Sequence, residues 1–316
     1  MKLFAKKSLG QHFLNSKHVL SQIIEASQVK EGDLVLEIGP GTGVLTRALL
    51  EKGAQVVAVE KDRRAIEALK NEEWSMKNVN KGEEKKEERE TDNQNTPKNG
   101  GLLSVVEGDI LETDIDALLS PFFILHSSFS IVANIPYYIT GAILEKFLEH
   151  GPRPEKMVLL VQKEVAERIV ARDGKESVLS MSVKAFGEPK IVAKVPRGAF
   201  TPPPTVESAI LMIENISDQK FYRKNSSGRI LNGAENLESN EKVQIPLFFA
   251  ILKAGFAHKR KFLKKNLEIL ENIEINGEKI GLNKEKIDLI WKKLELDEKV
   301  RAEDLKLEKW LEISSF

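Results

Sequence analysis

A glycine-rich turn between a predicted strand and a predicted helix limits the fold of this 316-residue chain more than any other feature. The strand is the apolar, β-branched run DLVLEI (33–38), the turn is GPGTG (39–43), and helical periodicity then continues to Gly53. Glycines let the backbone pass close to a ligand at the carboxyl end of a strand. The G-x-G-x-G spacing differs from the G-x-G-x-x-G of dinucleotide-binding turns, so the turn alone does not identify a ligand.

Further apolar strands alternate with amphipathic helices after this turn. The predicted strands are QVVAVE (55–60), LSVVEGD (103–109), FSIVAN (129–134) and KMVLLVQ (156–162). Helical periodicity marks SKHVLSQIIEAS, DRRAIEALK, GAILEKFLEH and KEVAERIVAR, with Asn15 or Ser16 as the N-cap of the first. Such alternation predicts an α/β fold with a parallel, doubly wound, Rossmann-like sheet that is covered on both faces.

Two polar stretches divide the rest of the chain. An insertion at about 77–101 contains KGEEKKEERETD (81–92), in which ten of twelve residues are charged, so it predicts a solvated segment without a core. Residues 217–244 are rich in Asn, Ser, Glu and Gly and are interpreted as a linker or insertion. We therefore predict a sheet domain over 1–216, with a basic N-terminal arm, and a small helical domain over 245–316.

Composition excludes several classes of protein. The absence of cysteine excludes disulfides, thiolate metal sites and cysteine nucleophiles. No apolar run approaches the ~18 residues of a membrane span, and the N-terminus lacks the apolar region of a secretory signal, so we expect a cytoplasmic location. Net charge is zero, but basic residues cluster in the N-terminal arm (residues 1–30) and in KAGFAHKRKFLKK (253–265). These clusters indicate either a bound polyanion or a solvated helix face.

Acidic residues end two further strands and favour a nucleoside cofactor. Glu60 lies 21 residues after Gly39, where nucleotide-binding sheets place an acid on the ribose hydroxyls. Asp109 ends the third strand, where a carboxylate can accept a hydrogen bond from an adenine amine. The chain has no phosphate-binding G-x-x-x-x-G-K-[ST] loop, which argues against ATP or GTP. S-adenosylmethionine, which has a ribose and an adenine but no phosphate, fits this pattern.

The motif NIPYYIT (134–140) follows the fourth strand at the same edge of the sheet. The plain interpretation is a turn with Asn134 as a cap. The functional interpretation is a site for an adenine amine, which the Asn134 amide oxygen and carbonyls near Pro136 would orient for an in-line methyl transfer. Tyr137 offers a stacking face for a base that has left its helix, and Phe200 in RGAFTPPPTVES (197–208) offers a second.

Several motifs together resemble those of the small-subunit (16S) ribosomal RNA adenine N6,N6-dimethyltransferase family. They are KKSLGQHFL (6–14), EIGPGTGVLT (37–46), VVAVEKD (56–62), EGD (107–109), VANIPYYIT (132–140), VQKEVAERI (161–169), FTPPPTVESA (200–209) and FAHKRKFLKKNL (256–267). The resemblance implies a methyltransferase that uses S-adenosylmethionine and no metal. Its expected substrate is two adjacent adenines near the 3′ end of small-subunit RNA, in an immature 30S-type particle, and we expect a monomer.

The resemblance also implies site residues. Cofactor contacts are expected from His12, Leu14, Gly39, Gly41, Glu60, Asp109 and Asn134. The expected catalytic residues are Asn134, Ile135, Pro136 and Tyr137, with Phe200 as a stacking partner. RNA contacts, mainly to phosphates, are expected from Lys6, Lys7, Lys259, Arg260, Lys261, Lys264 and Lys265.

Some positions depart from the family pattern, and alternatives stay open. Ile135 replaces the usual Leu, and HKRKFL stands where a form such as QRRKTL is expected, so Lys259 replaces one bidentate donor by a point charge. A large-subunit (23S) RNA adenine dimethyltransferase of the antibiotic-resistance type shares the N-I-P-Y motif. A DNA adenine methyltransferase would carry D/N-P-P-Y, which is absent. A ribosome-assembly binding factor without catalysis is the third alternative.

Overall fold

The computed structural model describes residues 5–6, 9–71, 103–123, 128–222, 243–275, 278–280 and 282–316. The charged insertion predicted at 77–101, Lys7 and most of the polar stretch 217–244 lie outside the described residues. Among the described helices, none combines the length and apolarity needed to cross a lipid bilayer.

The N-terminal part alternates strands and helices as the sequence predicts. Ser16 is the N-cap of the first helix, where its hydroxyl accepts a hydrogen bond from the Val19 N–H at 3.3 Å. The elements up to residue 123 are β1 (Phe13–Leu14), α1 (Lys17–Ser27), β2 (Leu34–Ile38), α2 (Val44–Glu51), β3 (Gln55–Glu60), α3 (Arg63–Asn71), β4 (Leu103–Glu107) and α4 (Ile115–Leu119).

The next part supplies the rest of the sheet. Its elements are β5 (Ser130–Asn134), α5 (Thr140–Leu144), β6 (Lys156–Gln162), α6 (Lys163–Ile169), α7 (Val178–Phe186), β7 (Glu188–Val195), β8 (Phe200–Thr201) and β9 (Ser208–Glu214). A π-helical turn, Glu145–His150, continues α5, so the predicted helix GAILEKFLEH is present but irregular. In the described residues, seven strands form the central sheet in the order β4-β3-β2-β5-β6-β9-β7.

The sheet is mostly parallel, as predicted, and carries an antiparallel edge that was not predicted. The five predicted strands, β2 to β6, do pair in parallel. Beyond β6, however, β9 and β7 pair antiparallel and form the edge of the sheet. Neither strand was predicted, although KIVAKV (190–195) alternates and SAILMI (208–213) is a short apolar run. An antiparallel edge on a parallel sheet is common in large α/β folds.

Helices cover both faces of the sheet, as predicted. The side chains of β2 alternate between two buried clusters: Leu34, Leu36 and Ile38 join one and Val35 joins the other. All four are nearly inaccessible to water. Burial on both faces explains why this strand reads as a continuous apolar run rather than an alternating one.

The C-terminal part is mainly helical, as predicted, and also contains a hairpin that was not predicted. Its elements are α8 (Ile245–Gly255), α9 (Leu263–Leu267), β10 (Ile273–Ile275), β11 (Glu278–Ile280), α10 (Lys284–Leu294) and α11 (Leu307–Ile313). β10 and β11 pair antiparallel, and the sequence between them is Asn-Gly, a hairpin signal that the sequence analysis passed over.

The helical part shares one core with the sheet. The Phe186 ring at the end of α7 lies 5.1 Å from that of Phe221 and 6.1 Å from that of Phe249 in α8. Both ends of the polar stretch 217–244 join this core, since the Val243 N–H donates to the Phe221 carbonyl at 2.8 Å. The helical part is therefore anchored by buried aromatic rings rather than joined only through a linker.

Candidate active site

A cavity opens at the carboxyl ends of β2, β3, β4 and β5, as expected for an open α/β sheet. Its walls come from the arm, from the glycine turn and from the ends of the strands. The lining includes Leu9 to Leu14, Glu37 to Thr42, Val59 to Lys61, Gly108 to Leu111 and Asn134 to Ile139. All predicted cofactor residues are in this set: His12, Leu14, Gly39, Gly41, Glu60, Asp109 and Asn134.

The glycine turn needs its glycines for two reasons. Gly39 and Gly41 have φ of +64° and +55°, a region that strains other residues. A Cβ on Gly41 would meet the Phe13 ring at 3.0 Å, whereas a Cβ on Gly39 would meet nothing within 4 Å. Gly41 therefore allows the arm to pack closely, and Gly39 leaves open space beside the backbone for a ligand.

Glu60 is fixed in place by backbone N–H groups. Its Oε2 accepts from the Gly41 N–H at 3.1 Å, and its Oε1 accepts from Lys61 and Asp62 at 2.8 and 2.7 Å. Burial raises the pKa of Glu60, while these three donors oppose the shift. The carboxylate is thus held rigidly on the cavity wall, with acceptor capacity left for ligand hydroxyls.

Asp109 lies on the same wall, but a lysine occupies one of its oxygens. Its Oδ2 accepts from the Lys61 ammonium at 2.7 Å, and its Oδ1 accepts from the Leu111 N–H at 3.0 Å. The hydrogen bond from Lys61 keeps the pKa of Asp109 below its usual value. The Lys61 side chain is 62% exposed, so it is able to swing away when a ligand donor arrives.

Glu37 is a cavity residue to which the sequence analysis gave no role. It is 1% exposed at the end of β2, and burial raises its pKa to about 8, with the charge of Glu60 adding to the effect. Within the described residues, neither its Oε2 nor the nearby buried Thr46 hydroxyl has a partner at hydrogen-bond geometry, although Thr46 opposes the rise in the pKa. The sequence signal available for Glu37 was an acidic residue inside the apolar strand that precedes the glycine turn. Its perturbation depends on burial, which only the fold reveals.

The arm and the NIPYYIT motif hold each other. The Asn134 Nδ2 donates to the His12 carbonyl at 3.0 Å, and no bond to Asn134 Oδ1 is found in the part of the chain that the structure describes. The His12 ring stacks on Tyr137 at 5.9 Å with an interplanar angle of 20°. The amide of Asn134 is therefore oriented with its nitrogen towards the arm and its oxygen left to accept.

Tyr137 is fixed at its other end as well. Its hydroxyl lies 2.6 Å from the Oγ of Ser208, a fully buried residue at the start of β9. Burial raises the pKa of Tyr137. Tyr138 is 69% exposed, and a Cβ on Gly10 of the arm would meet its ring at 3.2 Å. The motif thus offers one restrained ring and one exposed ring, next to Pro136, whose carbonyl accepts from the Ile139 N–H at 3.2 Å.

The arm is fastened to the proline-rich loop, and this buries Phe200. β1 pairs with β8, which places Leu14 opposite Phe200, and the His12 Nδ1 lies 2.8 Å from the Pro202 carbonyl. Phe200 is 2% exposed and does not line the cavity. In this arrangement it cannot offer a stacking face, which corrects its predicted role. Its ring instead packs in the core beneath the arm, together with Leu14.

The predicted RNA-binding residues divide into two groups. Lys259, Arg260 and Lys261 are exposed, and the described part of the chain gives them no hydrogen-bond or ion-pair partner. Lys264, in contrast, is paired with Asp288 at 2.9 Å and with Glu298 at 2.8 Å, and Lys265 is paired with Glu268.

Lys6 is 48% exposed, and its ammonium lies 3.8 Å from Asp62. The acids that pair with Lys264 are distant in sequence, and its RNA contact stays a prediction that would require these ion pairs to open.

One cluster outside the cavity has ligand types that suit a metal. In the described residues, Glu145, Glu149 and His150 bring ligand atoms within 4.8 Å of one another. Burial raises the pKa of Glu149 to about 7. Nothing else at this cluster indicates an ion, so it supports no metal assignment.

Two solved structures with a similar fold are methyltransferases. A dimethyladenosine transferase from Plasmodium falciparum has a TM-score of 0.67 and 27% identity, and the match covers 96% of each chain. The 23S rRNA methyltransferase ErmE has a TM-score of 0.60 with 96% of this chain and 98% of that chain covered, but its 21% identity shows the fold alone. The fold and the crevice thus define an α/β methyltransferase.

Sequence comparison is more specific. The profile of the family described as ribosomal RNA adenine dimethylase matches residues 3–81 and 90–226. Proteins named ribosomal RNA small subunit methyltransferase A are 35% identical in Dehalococcoides mccartyi, over 98% of this chain and 87% of the relative, and 32% identical in Fusobacterium nucleatum, over 98% and 96%. The chain belongs to the ribosomal RNA adenine dimethylase family, which confirms the resemblance found in the motifs, the predicted fold class and the predicted enzyme class.

Proposed function

We propose that this protein dimethylates N6 of two adjacent adenines near the 3′ end of small-subunit ribosomal RNA, with S-adenosylmethionine as the methyl donor. The observation that carries the proposal is the orientation of Asn134. Its amide nitrogen is committed to the His12 carbonyl at 3.0 Å, so its oxygen is left at the cavity wall as an acceptor for an amine.

The cavity residues fit S-adenosylmethionine. Open space beside Gly39 admits a ligand against the backbone of the turn. Glu60, rigidly held at the end of β3, would accept from the ribose hydroxyls, and Asp109 would accept from the adenine amine once Lys61 moves away. The buried Oε2 of Glu37, for which the described part of the chain offers no hydrogen-bond partner, supports a cationic or hydrogen-bond-donating ligand group near the turn.

The chain's contribution to the chemistry would be positioning. Bound S-adenosylmethionine supplies an electrophilic methyl group on a sulfonium. The lone pair of an adenine amine is delocalised into its ring, so the amine is a poor nucleophile. Asn134 Oδ1 and the Pro136 carbonyl would accept its two N–H groups and direct the lone pair at the methyl. The amine nitrogen would take the methyl group as the bond from that group to sulfur breaks, and it would then release one proton to solvent. A second round would convert the monomethylated amine.

Two tyrosines would receive the target base. Tyr137 is held between the His12 ring and the Ser208 hydroxyl, so its face is already ordered before a base arrives. Tyr138 is exposed at the mouth of the cavity and would stack on the target or its neighbour. Because Phe200 is buried, the second face is assigned here to Tyr138 rather than to the proline-rich loop.

The choice of small-subunit RNA rests on the relatives. Those described above carry the small-subunit name over nearly the whole chain, whereas the likeness to ErmE is one of fold. This favours the main proposal over a large-subunit enzyme. An immature particle as substrate, a monomeric state, a metal-free reaction and action in the cytoplasm are proposed with it. The ordered Glu60, Asn134 and Tyr137 favour an active enzyme over a silent binding factor.

The test is methyl transfer from labelled S-adenosylmethionine to immature small and large ribosomal subunits that lack adenine dimethylation. Mapping the label on the RNA should place it on two adjacent adenines near the 3′ end of the small-subunit RNA. Label on the large-subunit RNA would support the resistance-type alternative. Cofactor binding without label on either RNA would support the silent binding factor.

A further inference from the structure

The turn between α8 and α9, residues 257–262, combines an ordered backbone with exposed side chains. The Ala257 N–H donates to the Ala254 carbonyl at 3.0 Å, and the Lys261 N–H donates to the His258 carbonyl at 3.0 Å. From inside, the buried Asn266 amide donates to the carbonyls of Gly255 and His258 at 2.5 and 3.2 Å. The turn is therefore held in shape by backbone and buried contacts, while the side chains of residues 258–262 face solvent.

The cations of this turn are left unpaired within the described part of the chain, unlike those of the helix that follows. Lys264 is neutralised by Asp288 and Glu298, and Lys265 by Glu268. No such partner is found for Lys259, Arg260 or Lys261, although the chain has as many acids as bases. Three adjacent, solvated cations on a rigid turn are suited to a polyanion such as a phosphate backbone.

Phe262 completes the turn and is unusual for its position. It is the N-cap of α9, where it makes no capping hydrogen bond, and it is 43% exposed. A Ser, Thr, Asn or Asp cap would stabilise the helix, so the ring lowers stability at this position. Single exposed apolar residues need no explanation by themselves. Here the ring adjoins three unpaired cations. Phe316, equally exposed, instead has the Lys293 ammonium 5.1 Å above its ring.

We propose that Phe262 stacks on an unpaired base of the RNA while Lys259, Arg260 and Lys261 contact the flanking phosphates. The inference rests on the proposed function, since it takes RNA as the substrate. An aromatic face beside a basic segment is the arrangement that binds unpaired nucleotides, because every base has a π-face and its backbone carries negative charge. The turn thereby recognises an RNA loop or bulge rather than a continuous duplex.

The experiment measures binding of the full chain to two RNAs of equal length, a hairpin with an unpaired loop and a fully paired duplex, over a range of salt concentrations. The variants are Phe262→Thr and Phe262→Trp, with Ile269→Thr as the control. Ile269 is 56% exposed in the same helical part, so this control removes an apolar side chain at least as accessible as Phe262, eight positions beyond the last of the three cations.

Phe262→Thr should weaken hairpin binding about tenfold, and duplex binding should not change. The slope of affinity against salt should stay the same, because no phosphate contact is lost. Phe262→Trp should keep or improve hairpin binding, and Ile269→Thr should have no effect. Thr is the better N-cap, so the melting temperature of Phe262→Thr should equal or exceed that of the wild type, which separates lost binding from lost folding.

The inference is overturned when Phe262→Thr binds the hairpin as tightly as the wild type, or when it weakens hairpin and duplex equally. It is also overturned when affinity for naked RNA is kept but affinity for the immature particle falls, since Phe262 would then contact a protein. Failure of the proposed function is distinguishable, because the wild type would then transfer no methyl group to small-subunit RNA, whatever Phe262→Thr does.

Discussion

The cofactor side of the crevice and the basic turn (residues 257–262) differ in whether their charged side chains already have partners within the described residues. In the crevice, Glu60 receives three backbone hydrogen bonds and Asp109 receives two bonds, one of them from Lys61. In the turn, Lys259, Arg260 and Lys261 have no partner within the described residues. Both regions sit on rigid frameworks, so the difference concerns the ligand rather than the fold.

This contrast follows from what each region is proposed to bind. A small cofactor must be placed to within a fraction of an ångström, so its contacts are fixed before it arrives. A phosphate backbone is bound mainly through charge, and mobile solvated cations serve this without strict geometry. Glu37 is the exception in the crevice, since its buried Oε2 has no hydrogen-bond partner among the residues that the structure describes. It is therefore the residue where the contrast is most easily tested.

The largest effect is expected at Glu37, through pH. Its pKa in the folded protein is about 8, compared with 4.5 for the unperturbed side chain, so the folded state holds a proton that the unfolded state has lost between these values. Stability should therefore fall as pH rises through this window, by about 3 kcal/mol between pH 5 and pH 8. Glu37→Gln cannot titrate and should lack this loss.

Chemical denaturation of both proteins at pH 5 and pH 8, without cofactor, measures it. The free energies of unfolding of the wild type and of Glu37→Gln should differ less at pH 5 than at pH 8. If the free energy of unfolding changed equally with pH in both proteins, Glu37 would already have a partner that stabilises its charge. Glu37 would then resemble Glu60 and Asp109 rather than being the exception in the crevice.

A smaller effect is expected at Ser208, which positions Tyr137. Ser208→Ala leaves the half-buried Tyr137 hydroxyl without its 2.6 Å partner, so the ring should lose its fixed orientation. We expect about a tenfold fall in kcat with little change in RNA affinity. In the double variant with Tyr137→Phe the unpaired hydroxyl is gone, so part of the loss should be recovered relative to Ser208→Ala alone. Additive losses would show that Ser208 acts elsewhere.

The smallest effect is expected in the basic segment 253–265, where a lysine without a partner in the described residues is compared with a paired one. Lys261→Ala should lower RNA affinity severalfold and reduce the salt slope by about one unit, because a phosphate contact is lost. Lys264→Ala should change neither, because Asp288 and Glu298 already occupy that ammonium. RNA affinity measured across salt concentrations distinguishes the two variants. Equal salt slopes for Lys261→Ala and Lys264→Ala would show that pairing with acids does not decide which lysine contacts phosphate.

Sequence patterns predicted the parts of this molecule that depend on local order. The strands 55–60 and 156–162 lie where their apolar runs placed them, and the glycine turn with the acids at later strand ends located the cavity. What the patterns could not show depends on contacts between distant residues. Pairing of Leu14 with Phe200 buries a ring that was expected to be exposed, and Asp288 and Glu298 neutralise Lys264 from 24 and 34 positions away.

The edge strands illustrate a different limit. The apolar patterns of β7 and β9, partly alternating and partly continuous, do not distinguish an antiparallel edge from a helix or a further parallel strand. Pairing of β9 with β6, and of β7 with β9, sets their directions. The perturbed pKa of Glu37 likewise depends on burial beneath the turn, for which residue type gives no signal.

The most direct test of the account is the rate of methyl transfer by Asn134→Ala, measured beside its RNA affinity. The account predicts that the rate falls about 100- to 1,000-fold, because the acceptor that orients the adenine amine is gone, while binding to the immature small subunit stays within about twofold of the wild type. Turnover close to that of the wild type would contradict the role given to Asn134, and with it the proposed mechanism.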